Sequence, residues 1–185
     1  EDPVMETIEK GLKKNVFKDI DSEPADMSVG WTSFNSPYKP DFEGSSFIIG
    51  PYLVFSMRID KKSIPSKVIQ KHCAMEEMKR LEETDREFLS RTEKKQLKDH
   101  VIDVLTLRIP STPNINDLIW NYEESSLWFF STQKAANEEL ETLFSKSFDL
   151  TLVRLFPYTM ADFNAGLTDS EKDILSKITP THFTE

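Results

Sequence analysis

The sequence predicts an α+β fold: a largely antiparallel sheet with helices on one face and an inserted helical-hairpin projection. Three observations carry this. Two apolar and aromatic hairpins stand near 47–59 and 118–130. A charged stretch with helical periodicity, 63–109, lies between them. Hairpin connections dominate the order of elements, and these pair neighbouring strands antiparallel.

The elements follow in order. Asp2-Pro3 suits a helix start, with Asp as N-cap and Pro at the first helical position. Met5, Ile8 and Leu12 then share one apolar face, which ends near Asn15. Residues 19–46 are rich in Asp, Ser, Pro and Gly and read as a long ordered loop, anchored by Trp31 and Phe34. Phe47 to Ile49, broken by Gly50-Pro51, then Tyr52 to Ile59, reads as a β-hairpin. In its second strand Leu53, Phe55, Met57 and Ile59 alternate with Val54, Ser56, Arg58 and Asp60, so the two sets lie on opposite faces.

Pro65-Ser66 opens a helix that runs to about Glu83. Thr84-Asp85-Arg86-Glu87 has the spacing of a capping box and predicts an immediate second helix, with Thr92 as an alternative start. Pro110 and Pro113 end the projection. Leu118–Tyr122 and Ser126–Phe130 form the second hairpin. Thr132 caps a helix carrying Ala135, Leu140, Leu143 and Phe144 on its apolar side, and Leu150–Phe156 reads as a further strand. A short helix at Met160–Ala165 and a last one to Ile178, opened by the capping box Thr168-Asp169-Ser170-Glu171, complete the chain.

Length and composition bound the function. At 185 residues the chain buries enough surface to fold without metal or disulfides. The one cysteine, Cys73, excludes an internal disulfide and any zinc site needing two cysteines from this chain. No apolar run approaches the ~18 residues of a membrane span. No secretory signal opens the chain, which points to a reducing cytoplasm, and the missing initiator Met suggests a piece of a longer protein. Five glycines, at 11, 30, 44, 50 and 166, make neither a Walker A loop nor a dinucleotide fingerprint. His72, His100 and His182 form no metalloprotease motif, and no serine sits in G-x-S-x-G. His72-Cys73 makes a poor catalytic pair, because adjacent helix residues point about 100° apart. No cofactor or metal is expected.

Charge is informative once divided. The total is −9. Residues 61–108 hold twelve Lys/Arg against nine Asp/Glu, a balance of +3, and the rest of the chain carries −12. A locally basic region on an acidic body attracts a polyanion, because the local field decides where a phosphate goes. Arg91, Lys94, Lys95 and Lys98 have the i, i+3, i+4, i+7 spacing of one helix face. Lys61, Lys62, Lys67 and Lys71 form a second group near the base of the projection. Such groups suit strong, salt-sensitive and sequence-indifferent phosphate contacts. Glu87, Glu93 and Asp99 offer these cations an ordinary alternative as surface ion pairs.

Two other functional classes compete. Pro40-Asp41, followed by Asp60-Lys61-Lys62 at a strand end, has the outline of a metal-dependent nuclease. In that chemistry two carboxylates hold Mg²⁺ and a lysine helps activate water. It requires Asp41, Asp60 and Lys62 to converge; the bland alternative is a solvated strand terminus. A protein-interaction module without DNA affinity would use the projection for assembly and its charges for solubility.

The order of segments resembles the bacterial recombination-associated RdgC family. The carrying residues are Val29-Gly30-Trp31, the hairpin from Phe47 to Asp60, Ile64 to Lys71, Arg91 to Asp99, and the block from Ile119-Trp120 through Lys134-Ala135-Ala136 to Leu143. The resemblance implies a ring-shaped homodimer that binds double-stranded DNA with little sequence preference and without catalysis. It further implies a nucleoid-associated role in restraining RecA-promoted recombination and in replication-fork repair. It divides the chain into a discontinuous central part (1–62 and 110–160), a helical tip (63–109) and a C-terminal helix (161–185) leading toward a base domain. Lys67, Lys71, Arg91, Lys94, Lys95 and Lys98 match the family's tip segments and take from it a DNA-facing or tip-contact role. The family's strand before the first helix is absent, the chain stops near where the base begins, and Ile109 to Pro113 stands where a more basic or aromatic stretch is expected.

Overall fold

A computed structural model describes residues 3–44 and 46–179. Asp2 and His182 lie outside them. The chain divides into two compact units, 1–150 and 151–185. The fold is α+β, as the sequence predicts.

The first unit opens with helix α1 (Pro3–Lys14), whose Ile8 and Leu12 are buried. Strands β1 (Met27–Thr32), β2 (Ile48–Ile49), β3 (Tyr52–Lys61), β4 (Thr112–Asn121) and β5 (Ser126–Phe129) make one antiparallel sheet, in the order β1-β3-β4-β5 with β2 also on β3. Strand β1 pairs Met27 with Lys61 and Thr32 with Ser56, and β4 pairs Thr112 with Lys61 and Trp120 with Leu53. Helix α4 (Lys134–Phe148) follows β5.

One sheet face carries Leu53, Phe55, Met57, Trp31, Leu118 and Trp120, all buried. Helices α1 and α4 cover it. Trp120 meets Phe144 edge-on at 4.9 Å, Trp31 stacks on Phe148 at 5.9 Å, and the Trp31 indole donates to the Ser147 hydroxyl at 2.7 Å. Aromatic groups of this size dominate a core's burial, and the indole N–H has the partner that a buried donor requires.

Several expectations need correction. The 19–46 stretch is not all loop: β1 lies inside it, fixed on one side by β3 and on the other by Asn15–Phe17. There the Trp31 amide donates to the Asn15 carbonyl at 2.9 Å and the Phe17 amide to the Trp31 carbonyl at 2.8 Å. Gly30 permits this approach, because a Cβ there would lie 2.5 Å from the Phe17 backbone. Trp31 is an anchor as expected, but Phe34 is exposed. Strand β4 begins at Thr112, before the expected Leu118, with Pro113 opposite Asp60. Helix α4 has Gln133, not Thr132, at its N-cap.

The projection consists of α2 (Ser66–Thr84) and α3 (Arg91–Thr106). The Thr84 motif does not open the second helix. Asp85 takes a left-handed conformation that ends α2, and Ser90 caps α3. The Ser90 hydroxyl accepts from the Glu93 amide at 3.3 Å, and Glu93 accepts from the Ser90 amide at 2.8 Å. Leu89, Leu97, Val101 and Leu105 form a small core of their own, with Ile64, Val68, Ile69, Cys73, Leu81 and Ile109 packed against it.

The second unit holds α5 (Pro157–Asn164) and α6 (Asp169–Lys177). The Thr168 amide and hydroxyl both donate to Glu171, so this capping motif forms where the sequence places it. Residues 150–156 form neither helix nor strand, where the sequence suggests a strand. Val153, Leu155 and Phe156 are exposed, and apolar alternation alone does not make a strand without burial to reward it.

Candidate nucleic-acid interface

The basic residues fall into three situations. Arg91, Lys95 and Lys98 are exposed and make no ion pair among the described residues. Their i, i+4, i+7 spacing on the continuous helix α3 puts them along one flank, spanning roughly 10 Å at 1.5 Å per residue. Lys67 and Lys71 sit one turn apart on α2, also exposed and unpaired among the described residues. Lys61 is exposed at the end of β3, beside a cleft of about 260 Å³ shared with Thr112, Asn114 and Gln133.

Lys94 belongs to a second group. It reaches across the hairpin to Glu77 at 2.8 Å, so the sequence-predicted basic face keeps three members and loses this one to an ion pair. Arg86 grips Glu93 with two bonds, at 2.8 and 3.2 Å. These bonds and the Ser90 donors hold the Glu93 carboxyl down at about 2, well below its ordinary range.

Lys62 is the third case and corrects the sequence reading. It is buried, and its ammonium donates to three backbone carbonyls: Thr106 at 2.7 Å, Glu23 at 2.8 Å and Asp21 at 3.2 Å. A lysine with every donor occupied is neither a phosphate contact nor a water-activating group.

The nuclease constellation is not assembled. Asp60 is fully buried and takes both Arg58 bonds, at 2.7 and 2.6 Å, plus the Ser111 hydroxyl at 3.0 Å. Asp41 is tied through its amide to Ser33, just past β1, whereas Asp60 pairs with Ser28 near the strand's start. Five residues of strand separate those anchor points by roughly 16 Å. No group of three or more His, Cys, Asp or Glu suited to a metal occurs among the described residues. His72 and Cys73 are half-buried, with Cys73 packed into the projection's core.

Sequence reasoning missed the reason for this burial. The second face of β3 is covered by the segment after α1. Arg58 lies against the Phe17 ring at 4.1 Å and near the Tyr38 ring at 4.9 Å. Asp21 accepts from both the amide and the hydroxyl of Ser111 at 2.7 Å, and these bonds hold its carboxyl below the ordinary range. The available signal was the long loop together with Arg58 and Asp60, two opposite charges alternating on one face of an otherwise largely apolar strand.

Fold and site together define an α+β body with a polar-lined second face, carrying a helical hairpin that displays a flank of exposed cations. Residues 2–169 match the family described as "Putative exonuclease, RdgC". The chain belongs to this recombination-associated family. No curated protein matches it. No helix among the described residues is long and apolar enough to cross a membrane.

Proposed function

We propose that this chain binds duplex DNA without sequence preference through the flank of α3 that carries Arg91, Lys95 and Lys98, with Lys61, Lys67 and Lys71 as further phosphate contacts. The observation that carries the reading is that these cations are exposed and have no ion-pair partner among the described residues, while the rest of the chain is acidic. Cations free of protein partners give up no ion pair on meeting a phosphate, and each contact releases counterions.

The biological frame rests on the family: a cytoplasmic, nucleoid-associated homodimer that restrains RecA-promoted recombination and serves replication-fork repair. Dimerisation draws support from the projection itself. Helix α2 buries none of its residues, and Met78 and Phe88 are 63% and 72% exposed. Exposed apolar side chains at the end of a projection suit contact with a second tip.

The test is fluorescence anisotropy with a labelled duplex in EDTA across a salt series. The expected result is binding that weakens steeply with salt and a large loss in the Lys95→Glu/Lys98→Glu variant; wild-type affinity in that variant removes this flank from the interface. The family's description favours a nuclease as the second reading, though not one built on Asp41, Asp60 and Lys62. Its test is a denaturing gel of the same samples with Mg²⁺, where degradation of the duplex supports it.

A further inference from the structure

The projection leaves the body and returns through two crossings, residues 62–65 and 107–111. Neither α2 nor α3 packs extensively on a strand of the sheet. Ile64 and Ile109 pack on the projection's own core, so the crossings belong mechanically to the projection. Most of the polar side-chain ties at the crossings converge on one short segment, 21–26. At the first crossing the Lys62 amide donates to the Asp26 carbonyl at 2.8 Å. The Lys62 ammonium binds the Asp21 and Glu23 carbonyls and also the Thr106 carbonyl in the last turn of α3. At the second crossing Ser111 donates its amide and hydroxyl to the Asp21 carboxylate, and the hydroxyl also reaches Asp60.

We propose that residues 21–26 act as a buckle across both crossings, and that Lys62 is the positioning residue that fixes the angle of the projection and aims its cationic flank without touching DNA. One ammonium joins three chain segments distant in sequence: the 21–23 segment, the end of β3 and the end of α3. The β3–β4 pairing of Lys61 with Thr112 and the Ser111–Asp60 bond hold the two crossings side by side at the sheet, and Lys62 adds the tie from the first crossing to the last turn of α3. The second half of the proposal rests on the DNA-binding reading; the first half does not.

Two measurements separate them. In a Cys73→Ser background, spin labels at positions 79 and 134, both exposed, report the distance between the projection and α4 without any DNA. Lys62→Met is expected to broaden that distance distribution; a distribution as narrow as wild type overturns the buckle. The DNA titration then reads positioning. If the competent orientation falls to about a tenth of the population, the apparent Kd rises about tenfold. The bound complex keeps its phosphate contacts, so the dependence of log K on log salt keeps its slope. A residue that itself touches phosphate lowers that slope by about 0.9 when removed. A tenfold loss at unchanged slope supports positioning, whereas a reduced slope makes Lys62 a direct contact and overturns it. Unchanged affinity at a broadened distance also overturns the positioning role. Where Lys62→Met fails to fold, Asp21→Asn with Ser111→Ala loosens the other crossing and is expected to broaden the same distribution; a wild-type width there overturns the buckle. Absence of DNA binding by the wild-type chain defeats the DNA reading and leaves the distance result standing.

Discussion

The body and the projection of the first unit are held by different physics. The body packs a sheet face against two helices through Trp31, Phe55, Trp120, Phe144 and Phe148, large rings that meet one another at 4.8 to 5.9 Å. The projection has a core of four buried residues, none of them from α2. Its helices are pinned instead by terminal devices, the left-handed Asp85 and the Ser90–Glu93 box, and by charge pairs such as Lys94–Glu77. A deep core gives the body one shape. A shallow core leaves the projection's surface available for charge, at the cost of a weaker local hold.

The largest expected effect lies in the body. Trp31→Ala removes a fully buried ring and its indole hydrogen bond, and is expected to cost about 3–5 kcal/mol by urea denaturation. Leu97→Ala makes the same kind of deletion in the projection. With half-exposed neighbours free to close the gap, a loss of about 2–3 kcal/mol is expected, near the low end for a buried leucine. Equal losses in the two variants break the comparison. Ser90→Ala removes one half of the capping box and is expected to cost about 1 kcal/mol, with faster amide exchange confined to the first turn of α3.

The smallest effect at neutral pH sharpens the comparison by acidification. The folded Glu93 carboxyl titrates near 2 instead of its ordinary 4.5, so its stabilising contribution is complete above about 4.5 and is lost as pH falls toward 2. A carboxyl resonance of Glu93 that titrates near 2, together with loosening of the α3 start over that range, is the expected NMR result. Titration near 4.5 shows that the Arg86 and Ser90 contacts are not held in solution.

What the sequence made legible was local. Both hairpins, both projection helices and the Thr168 cap follow from alternation, helical period and cap spacing, each readable within a dozen residues. The flank of Arg91, Lys95 and Lys98 is visible for the same reason. What stayed hidden depends on distant neighbours. Residues 27–32 form a strand because β3 and Asn15–Phe17 offer backbone partners on both sides, and nothing in Met-Ser-Val-Gly-Trp-Thr announces those partners. Lys94 pairs with Glu77 through the register of two helices, which the spacing within either one does not state. Lys62 reads as a strand-end lysine open to water until a segment some forty residues earlier folds over it. The same non-locality separates Asp41 from Asp60, which share a motif in one dimension and opposite ends of β1 in three.

The contact between Gly30 and the Phe17 backbone sets a manufacturing tolerance for the molecule. With no room for a methyl group, substitution there does not simply loosen one edge of the sheet. The backbone that must give way is that of Val16 and Phe17, and the Phe17 ring lies under Arg58, four residues before Asp21 meets Ser111. Gly30→Ala is thus a wedge set against backbone at one margin of the sheet, and a weakened Asp21–Ser111 contact, read from the amide exchange of Ser111, is the expected sign that its push reaches the root of the helical arm.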